Sequence, residues 1–429
     1  QLKSAFYSCP PPEKIFPSPC PNETLRVKST IYGIHVIHTC IFKLKFFRGH
    51  TVMNTRFFVL ALLLTLAWSG HANQDLPFNI EPVTAFDEPW AMAFLPDEQM
   101  LVTEKKGRLL IVDNKGNKRP VGGLPDVGYG GQGGLGDVAL HPDFMSNGMI
   151  YISYVESAAD GTRGAAVGRG QIDVDARRPT LANFEVIWRQ YPKMLGYGHY
   201  GHRLFFDDAG FLWITSGDRQ KFTPAQDMQS NVGKVLRLND DGTVPSDNPF
   251  VDYTDENPLA DNDGVYGEVW SLGHRNPLGI AQDLQGKLWA IEMGPLHGDE
   301  LNLIHKGKNY GYPEVSDGDH YDRRPIPDHN TRPEFEAPKV SWVPAISPGH
   351  LSFVRGTLFS AWQGDALASG LGSKVIVRIA IDDERAQEVE RFDMGSRIRS
   401  VLEGPNGALW VLEDERASSE GRLLKLTPR

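Results

Sequence analysis

Hydrophobic residues recur along this chain in short runs that are separated by turn-forming residues. In LFFDDAGFLWITSGD, at 204–218, two apolar runs flank a turn of Asp, Ala and Gly. Two short apolar runs joined by such a turn predict a β-hairpin. The runs FLWIT, LWAI and LWVLE contain no regular polar alternation, so we expect both faces of these strands to be buried.

The same hairpin pattern occurs six times, at 92–104, 139–153, 204–218, 280–293, 351–371 and 401–414. Short strands repeated around an axis form a β-propeller, which leaves only short, protected sheet edges. The pattern therefore predicts an all-β fold, a six-bladed β-propeller whose long loops form the active site at the mouth of the central axis. A two-sheet β-sandwich is the alternative fold.

The first 72 residues of the 429-residue chain differ from the rest. A basic start at Met53, an apolar run and a small-residue ending at Ala72 are typical of a secretory signal peptide. We therefore expect residues 53–72 to direct export to the periplasm, without stable membrane insertion because the run is too short. We interpret residues 1–52 as a disordered upstream extension read in frame, with an unusual native extension as the alternative, and residues 73–429 as the catalytic propeller.

Cysteine content and charge exclude two classes of function. Cys9, Cys20 and Cys40 all precede the signal-like segment, so the mature chain would hold neither a disulfide nor a thiolate nucleophile. Without residues 1–72 the chain has 36 Lys and Arg against 52 Asp and Glu, a net charge of −16. Nucleic acid is therefore an unsuitable partner, because its binding depends on neutralising phosphates.

Two histidines three residues apart, His199 and His202, precede the third hairpin. A histidine with a nearby carboxylate is the usual form of a general base, and Asp218, after the next strand, could lie on the same face. A zinc pair would need helical i,i+4 spacing and a third ligand, and the surrounding glycines disfavour a helix. A structural histidine is the third interpretation.

Four cationic side chains lie in other loops: Arg275 in SLGHRNPLGIA, Lys374 in GLGSKVIVR, and Arg397 and Arg399 in GSRIRSV. If the fold brings them together at the axis, they predict a polyanionic small ligand. Taken one by one, each could be solvated or bound in a salt bridge.

Two further loops carry unusual combinations of residues. Glycines surround Gln132 in GYGGQGGLGDVALHPDF, which indicates either a close approach of the backbone to another group or a flexible turn. The segment 292–313 combines acidic residues with turn formers. Carboxylates and free carbonyls on a turn suit Ca²⁺, and a solvated acidic turn is the alternative.

Taken together, the loops resemble the soluble pyrroloquinoline-quinone (PQQ)-dependent glucose/sorbosone dehydrogenase family, most closely its periplasmic aldose sugar dehydrogenase branch. The motifs GGQGGLGDVALHPDF, HxGxRL…SGD, GHRNPLG, GPxxGDELNLI…GKNYGYP and RxR occur in the family's order, from about residue 77 to the C-terminus. The resemblance implies a six-bladed propeller. It also implies PQQ-dependent oxidation of aldose sugars at the anomeric carbon to the lactone, with electrons passed to an external acceptor such as a cytochrome or a quinone, by a monomer or dimer.

The resemblance also implies residue roles. His199 matches the family's general base and Asp218 its acidic partner, so the histidine pair is not a zinc site. The matching cofactor-binding positions are Gln132, Arg275, Asn276, Tyr321, Lys374, Arg397 and Arg399. The carbonyls of Gly294 and Pro295 match a calcium site that touches the cofactor. Glu300 and Tyr310 match a second, structural calcium site.

The chain departs from the family beside the pocket. Members usually have a small residue at the position of His202, and often Arg-Gly at the positions of Leu296 and His297, so these residues bear on substrate preference. His202 is expected either at the rim, near sugar hydroxyls, or in packing. Two other functions compete: a metal-dependent propeller lactonase or hydrolase, which needs several acidic or amide metal ligands, and a non-catalytic sugar-binding propeller.

Overall fold

A computed structural model of the protein describes residues 75–253, 266–416 and 418–429. In these ranges, 24 strands form six four-stranded antiparallel sheets within a compact unit that spans Ala72–Arg429. The expected extension (1–52) and signal peptide (53–72) lie outside the described residues. No helix of the described ranges has the length and apolar character needed to cross a membrane.

The strands of the first three blades follow in chain order from the axis outward. Blade 1 holds β2 (Pro89–Phe94), β3 (Met100–Glu104), β4 (Arg108–Val112) and β5 (Lys118–Val121). Blade 2 holds β6 (Leu135–Leu140), β7 (Met149–Ser157), β8 (Arg163–Gln171) and β9 (Ala182–Arg189). Blade 3 holds β10 (Gly201–Phe206), β11 (Leu212–Ser216), β12 (Lys234–Leu238) and β13 (Val269–Leu272).

The last three blades repeat this order, with one exception at the end of the ring. Blade 4 holds β14 (Pro277–Gln282), β15 (Leu288–Glu292), β16 (Asp299–Leu303) and β17 (Val340–Trp342). Blade 5 holds β18 (Pro348–Phe353), β19 (Ala366–Gly370), β20 (Val375–Asp382) and β21 (Arg385–Asp393). Blade 6 holds β22 (Ile398–Glu403), β23 (Leu409–Glu413), β24 (Arg422–Pro428) and β1 (Phe78–Ala85).

The first strand of the described chain closes the ring, because β1 pairs with the last strand, β24. The ends of the domain are thereby hydrogen-bonded to each other. The helical segments of the described residues are single turns, namely the α-helix α1 (Phe144–Asn147) and the 3₁₀ turns Thr223–Ala225, His329–Thr331 and Ser360–Trp362.

The six hairpins predicted from the sequence are the first two strands of the six blades, so the propeller prediction is confirmed and the β-sandwich alternative is wrong. The middle strands β11, β15 and β23 are buried along their whole length, as their unbroken apolar runs predict. The reason is that each middle strand packs between two neighbouring blades. Clusters of buried apolar residues, such as the one containing Leu101 and Ile152, fill the space between blades 1 and 2 and each of the other junctions.

Every innermost strand has an irregular register near its start, at Pro89/Ala91, Leu135/Val138, Gly201/Leu204, Pro277/Gly279, Pro348/His350 and Ile398/Ser400. Such bulges bend a strand and redirect its side chains. Residues at five of these bulges meet at the axis. The guanidinium of Arg203 donates to the carbonyls of Leu278, at 2.8 Å, and Gly349, and lies 3.9 Å from the ring centroid of Trp90. It also lies 3.4 Å from Oδ1 of Asp137, so the buried contacts of Arg203 join blades 1, 2, 3, 4 and 5.

Candidate active site

Two kinds of loop lie at the same end of the propeller. One kind enters the innermost strand of a blade, and the other joins the second strand of a blade to the third. This follows from the antiparallel order of each sheet. Residues far apart in sequence therefore meet at one end of the axis: Gln132 before β6, His199 before β10, Asp218 after β11, Arg275 and Asn276 before β14, Gly294 and Pro295 after β15, Lys374 after β19, and Arg397 before β22. Tyr310 and Tyr321 lie on the long β16–β17 connection, whereas Arg399 and Glu300 lie within β22 and β16.

The structure brings the two predicted catalytic residues into contact. His199 Nδ1 lies 2.6 Å from Oδ1 of Asp218, and both side chains are buried. The same carboxylate oxygen accepts the backbone N–H of Gln220 at 3.0 Å. A carboxylate that accepts these bonds requires the proton on Nδ1, which leaves the lone pair on Nε2 of His199.

Burial lowers the pKa of His199. Asp218 opposes this effect, because its negative charge and hydrogen bond favour the imidazolium, and the nearby guanidinium of Arg275 adds to the lowering. The net shift keeps the imidazole neutral near pH 7, which is the state in which Nε2 can accept a proton.

The Gly-rich loop holds the backbone of His199. Oε1 of Gln132 accepts the N–H of His199 at 2.7 Å, and the N–H of Gln132 donates to the carbonyl of Tyr197 at 2.8 Å. Gly131 has a φ of +57°, and a Cβ there would lie 2.6 Å from Cβ of Tyr197. The glycine is needed because the two loops touch, so the loop is a close backbone contact and not a flexible turn.

A cavity opens beside the His199–Asp218 pair. Its walls include the aromatic residues Phe222, Tyr312 and Tyr321, together with His199 and Arg275. Tyr321 is 69% exposed, and its hydroxyl accepts a hydrogen bond from Arg275 at 3.3 Å. Aromatic faces next to hydrogen-bonding groups are suitable walls for a small ring-shaped ligand.

Arg275 links this cavity to the predicted calcium loop. Its guanidinium donates to the carbonyls of Met293, at 2.9 Å, and Gly294. Pro295 lines the same cavity as His199. Pro295 therefore lies at the edge of the cavity, and the oxygen of Gly294 faces the guanidinium of Arg275.

A second cavity lies at the axis, next to the first along the His199–His202 segment. It is lined by the cations Lys105, Arg397, Arg399 and Arg416, and no carboxylate belongs to its walls within the described chain. Asp414 lies behind two of the arginines, at 2.9 Å from Nε of Arg397 and 3.2 Å from a terminal nitrogen of Arg399. Burial favours the neutral acid, but the two arginines hold the pKa of Asp414 below its ordinary value.

Several buried polar atoms around the two cavities have no hydrogen-bond partner within the described residues. They are Nδ2 and Oδ1 of Asn276, Nε of Arg275, Nε of Arg399 and Oδ2 of Asp218. Buried polar atoms are seldom left unpaired in native proteins, because the loss of water is not compensated. Such a concentration at one end of the propeller indicates a polar ligand there.

The residues predicted for the second calcium site lie deeper in blade 4. Glu300 accepts from Asn302 at 3.1 Å and contacts Nε2 of His329 at 3.2 Å. The phenol of Tyr310 is engaged elsewhere, since it donates to the carbonyl of Leu303. Burial is the main cause of the raised pKa of Glu300, and the neighbouring Glu292 adds to it. The Glu300 carboxylate is therefore closely surrounded, and the hydroxyl of Tyr310 is already hydrogen-bonded.

His202 is buried in the wall of the axial cavity. Its ring stacks on Trp90 with centroids 4.9 Å apart, and Nδ1 lies 2.8 Å from Oγ of Ser153. A Cβ on Gly136 would lie 2.0 Å from the His202 ring, so the neighbouring blade leaves room for it only through a glycine. Burial lowers the pKa of His202 to about 3. Of the two expectations, packing describes His202 better than a rim position.

Lys374 and His297, two of the other sequence-selected positions, do not belong to the walls of the two cavities as the described residues form them. Nζ of Lys374 donates to Oγ of Ser418 at 3.3 Å, and within the described chain Lys374 lines neither cavity. The ring Nδ1 of His297 accepts the N–H of Ala345 at 3.4 Å.

Sequence reasoning missed Asp414, Lys105 and Arg416. Asp414 directly follows the fully buried strand β23, and Asp218 follows the buried strand β11 with one intervening residue. This shared position after a buried strand was the sequence signal that could have identified Asp414. Lys105 and Arg416 carried no signal of their own, because they lie in ordinary charged turns of blades 1 and 6.

Comparison with known proteins identifies the chain's relatives. The glucose / sorbosone dehydrogenase family matches residues 86–425. The aldose sugar dehydrogenase YliI of Escherichia coli (strain K12) is 37% identical over 388 residues, which cover 88% of this chain and 100% of that protein.

Two solved structures share the fold. The crystal structure of the soluble aldose sugar dehydrogenase from Escherichia coli in the apo-form has a TM-score of 0.75 and 38% identity, and covers 82% of this chain and 100% of its own. The PQQ-bound form of the aldose sugar dehydrogenase from Streptomyces coelicolor has a TM-score of 0.64 and 26% identity, with 82% and 98% coverage. The chain therefore belongs to the glucose / sorbosone dehydrogenase family.

Proposed function

We propose that the protein is a PQQ-dependent sugar dehydrogenase that oxidises aldoses at the anomeric carbon to lactones. The observation that carries the proposal is the buried His199–Asp218 contact of 2.6 Å, which faces a cavity. Relatives along nearly the whole chain are aldose sugar dehydrogenases, and one of them was solved in a PQQ-bound form.

The residues around the two cavities fit an anionic, carbonyl-rich group such as PQQ. Unpaired donors on Arg275, Asn276 and Arg399 are the type of atom that carboxylates and carbonyls bind. The residues that would hold the group are Gln132, Arg275, Asn276, Tyr321, Arg397 and Arg399, with Lys374 on an adjoining turn. When bound, the quinone supplies the two-electron acceptor that no side chain provides.

Oxidation of an aldose to its lactone removes a hydride from the anomeric carbon and a proton from the anomeric hydroxyl. The side chains of this protein handle the proton. Nε2 of His199 takes it as general base, a role that contributes roughly 10²–10⁴-fold to the rate. Asp218 keeps the second proton on Nδ1 and stabilises the imidazolium that forms. The cationic walls favour negative charge in the same region.

We also propose calcium at two places. Carbonyl oxygens are ligands that Ca²⁺ prefers, and the loop of Gly294 and Pro295 borders the cavity that contains His199, with Pro295 in its wall and Gly294 bonded to Arg275. A carbonyl oxygen has two lone pairs, so the bond from Arg275 to Gly294 leaves one for a cation. Glu300, with the backbone of Tyr310, is the proposed structural site, where a cation would offset the charge of Glu292 and Glu300.

The competing functions agree less well with the site. A lactonase needs acidic and amide ligands around a metal at the axis, whereas the axial walls carry four cations. A non-catalytic sugar-binding propeller does not need a buried His–Asp pair with its free ring nitrogen at a cavity. The sequence is also the basis of three further proposals: an external electron acceptor, a monomeric or dimeric state, and a periplasmic location.

A dye-reduction assay tests the proposal. Purified protein is incubated with a panel of aldoses and an artificial electron acceptor, with PQQ and Ca²⁺ added together, singly or not at all. We expect reduction of the dye only when PQQ, Ca²⁺ and an aldose are all present, with lactone as product. Turnover that persists in protein stripped of PQQ, or hydrolysis of added lactones without dye reduction, would contradict the proposal.

A further inference from the structure

The carbonyl of Gly131 receives hydrogen bonds from two cations that come from different blades. Nζ of Lys105, on the β3–β4 turn, donates to it at 2.9 Å, and a terminal nitrogen of Arg416, after β23, donates at 3.0 Å. Both side chains also line the axial cavity with Arg397 and Arg399. Four cations from blades 1 and 6 thus surround one small space.

These four cations are not neutralised by their neighbours. Oε2 of Glu88 lies 3.3 Å from Nζ of Lys105, and the carboxylate of Asp414 forms ion pairs with both Arg397 and Arg399. Two carboxylates therefore face four positive charges within the described residues. Burial lowers the pKa of Lys105, and the charge of Arg416 adds to the lowering, so a bound anion would relieve a real repulsion.

Arg399 carries an unpaired donor. Its Nε is buried and has no partner among the described residues, and the arginine is 8% exposed. An unpaired, buried charged donor beside three other cations indicates that a ligand supplies the missing acceptor.

Lys105 and Arg416 also hold the loop that supports the proposed general base. Gly131 precedes Gln132, whose Oε1 accepts the N–H of His199 at 2.7 Å. Lys105 also supports the loop through its backbone, because the N–H of Leu135 donates to its carbonyl at 2.9 Å. An anion bound at the axis would therefore contact the side chains that fix this loop.

We propose that Lys105 and Arg416 are further anion-binding residues, which complete with Arg397 and Arg399 a four-cation site for a small planar polycarboxylate. The inference deepens the proposed function and rests on it for the identity of the natural ligand, since PQQ carries three carboxylates. Support for an anion site is independent of that function, because it consists of the four cations at the axis and their contacts.

Calorimetric titration tests the proposal with two probes, PQQ and benzene-1,3,5-tricarboxylate, a planar trianion that has no quinone. The variants are Lys105→Met and Arg416→Met, with Lys106→Met as matched control. Lys106 is the next residue, is 44% exposed and pairs with Asp87 at the surface. Arg416 is exposed, so its substitution leaves the fold intact even if Lys105→Met does not.

We expect both probes to bind the wild type, and each variant to raise both dissociation constants at least about tenfold, the factor expected for one charged hydrogen bond. Lys106→Met should stay within about twofold of the wild type. Wild-type affinity in Arg416→Met, or no binding of either probe to the wild type, overturns the anion site. If the tricarboxylate binds and responds to the variants but PQQ does not bind, the anion site stands and the proposed function fails.

Discussion

The backbone N–H of His199 donates to the side-chain oxygen of Gln132, 2.7 Å away, although 67 residues separate them in the chain. His199 has a φ of +51°, a left-handed conformation that is costly for a residue with a Cβ. The bond from Gln132 is one of the contacts that hold this conformation. Gln132, a proposed cofactor-binding residue, thereby also supports the proposed base.

Replacing Gln132 with Ala should therefore lower turnover more than stability. The loss of one anchoring hydrogen bond leaves His199 less well oriented, and misplacement by about 1 Å costs roughly 10²-fold in rate. We expect kcat to fall by about 10–100-fold with little change in the urea midpoint. Steady-state kinetics and urea denaturation measure the two effects, and an unchanged kcat would show that Gln132 does not position the base.

His199 and His202 should respond differently to substitution by Ala. His199→Ala removes the proposed base and should lower kcat by about 10²-fold or more, with PQQ still bound. His202→Ala removes a ring that packs on Trp90 and should cost about 0.5–3 kcal/mol of unfolding free energy, with kcat within about tenfold. If His202→Ala were inactive and His199→Ala active, His202 would be the base and the assignment of His199 would be wrong.

The pH dependence of kcat should report the environment of His199. A base must be neutral, so activity falls when the imidazole takes a proton as the pH drops through its pKa. Burial lowers that pKa, so the acid limb should lie below pH 6.5, the ordinary histidine value. Asp218 raises the pKa, so Asp218→Asn should move the limb to lower pH and reduce kcat. An acid limb above pH 6.5 would contradict the assignment.

Asp414 should contribute to stability through the two arginines it contacts. Asp414→Asn leaves Arg399 buried without its carboxylate, and breaking such a buried pair costs about 3 kcal/mol. The pKa of Asp414 is lowered in the fold, so its contribution is complete above the unfolded pKa and is lost as the pH falls through the lower folded value. Urea denaturation should show a difference at pH 7 that shrinks below pH 4, and a constant difference would exclude an ionic origin.

Calcium removal should lower the melting temperature if Glu300 binds the ion. A ligand at about 100 times its dissociation constant stabilises the fold by about 2.7 kcal/mol. Chelation should therefore destabilise the wild type, while Glu300→Gln should have a lower melting temperature before chelation and should lose less on chelation than the wild type. Glu314→Gln is the matched control, because Glu314 is an exposed acid of the same region. Equal chelator responses in the wild type and Glu300→Gln would remove Glu300 from the site.

The local sequence was sufficient for the hairpins, whereas the choice between His199 and His202 rested on the family resemblance. Apolar runs and turn residues act within a few positions, so each inner hairpin could be predicted without knowledge of its partners. The spacing of His199 to Arg203 and Asp218 carried the family motif, and the observed His199–Asp218 contact agrees with it. The outer strands were not predicted, because their more polar sequences, such as KRPV and RAQEVERFD, form strands only by pairing with a neighbour.

The sequence alone thus determined the blade number and the order of the loops, since these depend on local pattern, and the family resemblance implied the candidate base. Tertiary structure alone decided that Lys105 and Arg416 share the carbonyl of Gly131, and that Asp414 serves two arginines. It also decided that His202 packs beneath Trp90 while Lys374 lies outside both cavities. The physical reason is that the propeller closes into a ring, which brings residues of the first and last blades into contact. The charge and burial of residues at the axis depend on these long-range contacts, which cannot be inferred from the spacing of residues along the chain.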